Sequence, residues 1–206
     1  MKIVFLGDSI TEGVGTSSVD KSFVSLIEKK LNCNVRNYGV RGTRIARQKV
    51  NSSVVSHDWD FQQRAKMLDK DADMVFVFGG TNDFGHGNAT LGERDSNDPY
   101  TFWGAMNNLT KELLSVYEIN QLCFILPLHR SDEENNKGLT LGDYVNIMKT
   151  VLKAKNISFL DFYDNGLPKP PNSENGEYFC DGIHPNDKGH KWMAEQIINK
   201  IKNDKN

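Results

Sequence analysis

Five short runs rich in β-branched and aromatic residues punctuate the chain, at Lys2–Leu6, Asn34–Tyr38, Met74–Phe78, Leu122–Leu126 and Ile157–Phe162. Each is too short for an ordinary helix and reads as a strand. Between them, apolar residues recur every three or four positions, the spacing of one helix face. Phe23, Ile27 and Leu31 form one such stripe; Phe102, Met106, Leu109, Leu113 and Val116 form another. Leu141, Tyr144, Val145, Met148 and Leu152 make a third, and Met193, Ile197 and Ile201 a fourth, while Phe61, Ala65 and Leu68 mark a weaker helix. Strands alternating with helices predict the α/β class, with a parallel sheet covered on both faces. No linker, repeat or degenerate segment divides the chain, so residues 1–206 read as one domain, with a charged, frayed tail over Asn203–Asn206.

In open parallel sheets ligands bind beyond the carboxyl ends of the strands. The residues at those ends are unusually polar: Gly7-Asp8-Ser9-Ile10-Thr11, Gly39-Val40-Arg41-Gly42-Thr43-Arg44, Gly79-Gly80-Thr81-Asn82-Asp83 and Pro127-Leu128-His129-Arg130. Long polar loops at Phe84–Pro99, Ser131–Gly138 and Tyr163–Asp181 leave the same edge and predict walls around a site.

Charge excludes two classes of partner. Lys and Arg total 25 against 27 Asp and Glu, a net charge of −2. That balance gives no footprint for nucleic acid or anionic membrane, and no apolar run is long enough to span a bilayer. Cys33, Cys123 and Cys180 are odd in number and form no C-x-x-C pair, which points away from zinc and from a disulfide framework. Cys33 and Cys123 lie in apolar settings and read as core thiols. Met1-Lys2 leads directly into the first strand without a signal-peptide core, so the expected location is cytoplasmic. Sequons at Asn51, Asn88, Asn108 and Asn156 then carry no meaning. Nothing in the sequence speaks to oligomeric state.

Asp181-Gly182-Ile183-His184-Pro185 places a carboxylate three residues before an imidazole. The chain can fold back within one turn so that the carboxylate accepts the ring N–H, fixing the tautomer and leaving the other nitrogen as a base. Pro185 holds His184 out of a helix, and Asn186 or Asp187 can cap the helix that follows. Taken alone, the same residues fit a capping turn with a solvated histidine. Ser9, after a strand and a glycine, fits either a helix cap or a nucleophile exposed where the chain turns. Glycines 7, 39, 42, 79 and 80 permit tight turns and close backbone approach to a ligand. Asn82 offers a neutral amide donor for a developing oxyanion.

Together these blocks resemble the SGNH (GDSL) hydrolase superfamily. Gly7-Asp8-Ser9, Gly42 within Asn37-Tyr38-Gly39-Val40-Arg41-Gly42, Gly80-Thr81-Asn82-Asp83 and Asp181-Gly182-Ile183-His184-Pro185 stand in that family's order across nearly the whole chain. Asp98-Pro99-Tyr100-Thr101-Phe102-Trp103-Gly104-Ala105 and Pro127-Leu128-His129-Arg130 look like a bacterial branch of it. The resemblance implies a three-layer α/β/α sandwich around a flavodoxin-like five-stranded parallel sheet. It implies a serine esterase with Ser9 as nucleophile, His184 as base and Asp181 as its orienter. The Ser9 and Gly42 backbone N–H groups and the Asn82 side chain would form the oxyanion hole, with Asp8 and Asp83 in support.

Other readings compete. An α/β-hydrolase requires G-x-S-x-G and a P-loop requires G-x-x-x-x-G-K-[ST]; neither occurs. A non-catalytic flavodoxin-like module could hold the phosphate of a ligand such as FMN on the stretch Gly7–Ser18. His86, His129, His184 and His190, with Asp83 and Asp181, show no metal-ligand spacing, so no metal and no cofactor is expected. His57 and His190 read as solvated or packing residues. His86 and His129 are pocket candidates, and Arg41, Arg44 and Arg130 suit a carboxylate or phosphate on the substrate or ordinary surface charge. Trp59 or Trp103 could stack on a sugar, Trp103 equally anchoring its helix. With polar loops and no apolar lid, the expected substrate is a short acyl ester of a small molecule or carbohydrate, acetyl foremost.

Overall fold

The computed structural model of the protein describes residues 1–204. Its five strands are β1 (Lys2–Gly7), β2 (Asn34–Gly39), β3 (Met74–Phe78), β4 (Leu122–Ile125) and β5 (Ser158–Leu160). All neighbours run parallel, in the order β2-β1-β3-β4-β5. Seven α-helices accompany them: α1 (Ser9–Glu12), α2 (Phe23–Leu31), α3 (Phe61–Ala65), α4 (Thr81–His86), α5 (Phe102–Leu114), α6 (Leu141–Ala154) and α7 (Asp187–Asn203).

Successive side chains of a strand point to opposite faces, so the apolar runs feed two cores. Val4, Leu6, Val75, Val77, Leu122 and Phe124 pack on one face against α3, α5 and α6. Ile3, Phe5, Met74, Phe76, Cys123 and Ile125 pack on the other against α2 and α7. Phe5 stacks on Phe76 at 5.1 Å and meets the edge of Phe23 from α2 at 5.3 Å. This is the three-layer α/β/α sandwich. The central strand β3 is buried throughout, whereas edge strand β2 carries the exposed Asn34, Arg36 and Asn37.

Local chemistry sets the helix boundaries. Ser22, Thr101 and Thr140 accept from Ser25 N–H, Gly104 N–H and Asp143 N–H at the starts of α2, α5 and α6. Asn186 rather than Asp187 caps α7, accepting from Lys188 and Gly189. The last turn of α7 extends through Asn203, so the expected tail is helical there; Lys205 and Asn206 lie outside the described residues. Two short helices, α1 and α4, occupy the polar blocks after β1 and β3, where a four- or six-residue segment is too short to display a helical period. Among the described residues no helix is long and apolar enough to cross a membrane. Cys123 is buried, but Cys33 is only half-buried, at the edge of its core.

Candidate active site

The sheet order reverses direction between β1 and β3, which opens a crevice at their carboxyl ends. Gly7 pairs with Gly39 of β2 and Phe78 of β3, so the blocks after these strands leave the sheet at one level. Ser9 is the first residue of α1, and Asp8 caps it, its carboxylate accepting Ile10 N–H at 3.1 Å. A buried carboxylate thus sits where the phosphate-binding reading of Gly7–Ser18 needs an anion. Among the described residues neither Ser9 N–H, in the first turn of α1, nor Gly42 N–H meets an acceptor.

Ser9 Oγ lies 2.9 Å from His184 Nε2, although the two residues are 175 positions apart in the chain. His184 Nδ1 lies 2.7 Å from Asp181 Oδ2. Asp181 Oδ1 accepts the backbone N–H of His184 at 2.7 Å and of Ile183 at 3.0 Å. Partial burial opposes ionisation of Asp181, but these hydrogen bonds and the facing imidazole outweigh it and hold the carboxyl below its ordinary range. Gly182, at φ +76°, permits the tight turn, and its carbonyl accepts Ser131 N–H at 2.9 Å from the loop after β4. The segment is braced from the α1 side as well. Asp187 accepts Ser17 N–H at 2.8 Å and Lys21 Nζ at 2.8 Å, while His190 Nδ1 accepts Phe23 N–H at 3.1 Å. His190 is fully buried and stacks on Phe23, a packing histidine.

The block after β2 is held from three sides. Gly42 adopts φ +73°, and a Cβ there would meet the His57 ring at 2.2 Å. Asn82, on α4, donates Nδ2–H to Thr43 O at 3.0 Å, leaving its second amide proton unused. Asp83 accepts Ile45 N–H at 2.9 Å and Ala46 N–H at 2.8 Å. Arg64 of α3 donates to Thr43 Oγ1 and to Gly7 O at 2.8 Å each, and also to Tyr38 O. Burial pushes both the Asp8 and the Asp83 carboxyls up to about 7, and it pushes the Arg64 guanidinium down to about 10. Arg64 was not among the expected site residues, because a charged residue in a weak helix reads as surface.

The arginines at this edge have different fates. Arg41 is exposed and paired with Glu12 at 2.8 Å. Arg44 is buried rather than emerging, donating to Asp58 Oδ1 at 3.0 Å, to His57 O at 3.1 Å and to His86 Nδ1 at 3.3 Å. Arg130 is half-buried, spreads over the Phe84 ring at 5.1 Å and donates to Thr81 O at 3.3 Å. Among the described residues no carboxylate lies within 4 Å of it. His129 is engaged by Glu133 at 2.6 Å and packs on Tyr163 at 4.2 Å. His57, read as a solvated or packing residue, is half-buried and packs directly over Gly42, 5.9 Å from the His86 ring. Beside it Val54, Val55 and Trp59 are exposed, an apolar rim hidden in sequence by the polar residues between them. Trp103 is partly buried against the core, and Cys180 is half-buried beside Asp181. Among the described residues, no group of three or more His, Cys, Asp or Glu could hold a metal ion. A cavity of about 640 Å³ between α3 and α5 shares no residue with this edge.

A hydroxyl, an imidazole and a carboxylate in one hydrogen-bonded line, beside unused N–H groups, can carry out acyl transfer. The family model for GDSL-like Lipase/Acylhydrolase matches residues 5–192. The chain belongs to this family. The GDSL-like acylhydrolase is thus a serine hydrolase of carboxylic esters. Solved structures overlay on nearly all of it. A protein from Lactobacillus plantarum is 23% identical, with a TM-score of 0.81 over 98% of this chain and 96% of its own. A member of the lipolytic protein G-D-S-L family from Veillonella parvula is 21% identical, with a TM-score of 0.66 over 97% of each chain. A carbohydrate acetylesterase from Sinorhizobium meliloti is 13% identical, with a TM-score of 0.72 over 98% of each chain. At these identities the likeness of the GDSL-like acylhydrolase to each of them concerns the fold. No curated protein matches its sequence.

Proposed function

We propose that the enzyme removes short acyl groups, acetyl foremost, from a small-molecule or carbohydrate ester, using Ser9, His184 and Asp181 as its triad. The observation that carries this reading is the unbroken line from Ser9 Oγ to His184 at 2.9 Å and on to Asp181 at 2.7 Å. His184 Nε2 takes the Ser9 proton as Oγ attacks the ester carbonyl, while Asp181 stabilises the imidazolium. The Ser9 N–H, the Gly42 N–H and the spare Asn82 Nδ2–H receive the oxyanion. His184 then protonates the departing alcohol, and water attacks the acyl-enzyme by the same route to free the acid and restore Ser9.

Asp8 and Asp83 support the hole by fixing the turn at Ser9 and the segment after Gly42. Arg44, His86, His129 and Arg130 form the polar surround, of which Arg130, with Asp132, Glu133 and Asp181 nearby but no carboxylate within 4 Å among the described residues, is assigned to a polar group of the substrate. The acetyl and carbohydrate preference draws on the polar loops and on the fold shared with the Sinorhizobium meliloti carbohydrate acetylesterase. We place the enzyme in the cytoplasm, on cysteines that are odd in number, widely spaced and without a C-x-x-C pair, and read residues 1–206 as one catalytic domain. Hydrolysis of p-nitrophenyl esters from acetate to octanoate tests the reading. Acetate is expected to be the best substrate, with no turnover by a folded Ser9→Ala variant. Turnover that survives in Ser9→Ala removes the nucleophile, and a maximum at octanoate removes the short-acyl preference.

A further inference from the structure

An asparagine amide serves an oxyanion only if its nitrogen, not its oxygen, faces the substrate, and the two orientations differ by a half-turn of the side chain. Here a chain of groups outside the triad fixes that choice. Arg44, only 4% exposed, is anchored by Asp58 Oδ1 and by His57 O. A guanidinium can only donate, so its Nη1, 3.3 Å from His86 Nδ1, requires that ring nitrogen to be the acceptor. The neutral His86 ring therefore carries its proton on Nε2. That nitrogen lies 3.2 Å from Asn82 Oδ1 and donates to it. On the other side of the amide, Thr43 O accepts from Asn82 Nδ2. A flipped amide would set oxygen against the Thr43 carbonyl and N–H against the His86 N–H, two repulsions in place of two hydrogen bonds.

We propose that His86 is a positioning residue for Asn82, locked by Arg44 in the tautomer that keeps one Asn82 Nδ2 proton aimed at the oxyanion. This rests on the assignment of Asn82 to the oxyanion hole made above. The charge state of the ring agrees with the geometry. Partial burial, with Arg44, His57 and Arg130 as its positively charged or titratable neighbours, pushes His86 down to about 4, although the residue keeps an exposed edge. His86 reaches the reaction only through Asn82, so its contribution belongs in kcat and disappears when Asn82 is absent.

The test is a double-mutant cycle on p-nitrophenyl acetate, with melting temperatures to establish folding. Asn82→Ala is expected to lower kcat about a hundredfold. His86→Phe, which keeps a ring but neither hydrogen bond, is expected to lower kcat about tenfold with KM within about twofold, since the donor is loosened rather than removed. His86→Gln, whose amide both accepts from Arg44 and donates to Asn82, is expected to recover most of that loss. His86→Leu, which also lacks both hydrogen bonds, replaces the phenylalanine variant should that one fail to fold. In the Asn82→Ala background either His86 change is expected to have no further effect. An equal loss in both backgrounds, or a loss confined to KM, overturns the positioning role while leaving the oxyanion hole intact. An unchanged kcat in Asn82→Ala alone overturns the oxyanion assignment itself, and the positioning role with it.

Discussion

Gly15→Ala tests how closely the two halves of the site are spaced. Gly15 follows α1 in a left-handed conformation at φ +100°, and a Cβ built on it would lie 2.2 Å from Pro185 O and 3.1 Å from His184 Cβ. Real Cβ atoms essentially never approach within 3.0 Å of another heavy atom, and the obstacle is backbone, so the two segments must part by about 1 Å. The Gly15 loop is tied to the nucleophile, because Gly13 N–H and Val14 N–H both donate to Ser9 O, the latter at 2.9 Å. The displacement therefore passes to the 2.9 Å contact between Ser9 Oγ and His184 Nε2 and stretches it beyond hydrogen-bonding range. A misplacement of this size costs about a hundredfold in rate. The left-handed backbone adds roughly 1–2 kcal/mol of strain, which lowers the melting temperature without unfolding the domain. Steady-state kinetics on p-nitrophenyl acetate beside a thermal melt separate the two effects. A folded Gly15→Ala enzyme with kcat within twofold of wild type would refute the spacing argument.

Asp181→Asn keeps an acceptor for the two backbone N–H groups but no longer stabilises the imidazolium, so kcat should fall by roughly 10³-fold or more; a drop under tenfold in the same assay removes Asp181 from the triad. Arg64→Met leaves Tyr38 O and Thr43 Oγ1 without the guanidinium, Gly7 O with the Val40 N–H as its remaining donor, and Asp8 without its nearby cation, so unfolding in urea should show a loss of about 3–5 kcal/mol. A loss below about 1 kcal/mol would mean that water replaces the guanidinium. Burial pushes His190 down from 6.5 to about 4, so the folded chain refuses a proton that the unfolded chain accepts. Its contribution is complete above pH 6.5 and is lost as pH falls toward 4, by up to about 3 kcal/mol. Denaturation of wild type and His190→Gln at pH 7.5 and 4.5 isolates this residue from Asp8 and Asp83, and a difference independent of pH would count against it.

Strands and long helices were legible because burial on one or two faces writes itself into residue spacing. Met74–Phe78 coincides with β3, and the runs read at Leu122–Leu126 and Ile157–Phe162 overshoot β4 and β5 only at their ends. The short helices α1 and α4 were not legible, since they are made by capping and by the turn at Gly80 rather than by periodicity. At the site, Ser9, Asp181 and His184 stood out because their chemistry requires them in recognisable local blocks. Arg64 did not, and Arg44, read as a substrate contact or a surface charge, is buried, because whether an arginine is a surface charge or a buried clamp depends on what lies above it. The place where His57 packs was likewise not legible, because only the folded loop carries it over Gly42.

Ser9 and His184 lie 175 residues apart, on segments that meet only when α7 docks beside α2. On a ribosome adding about 5–20 residues per second, Ser9 therefore waits roughly 10–35 s for His184 to be made. Throughout that interval the Ser9 hydroxyl has no imidazole beside it. With Ser9 and His184 in their proposed roles, turnover begins only once α7 has left the tunnel and docked, so the appearance of activity during synthesis reports the docking of α7.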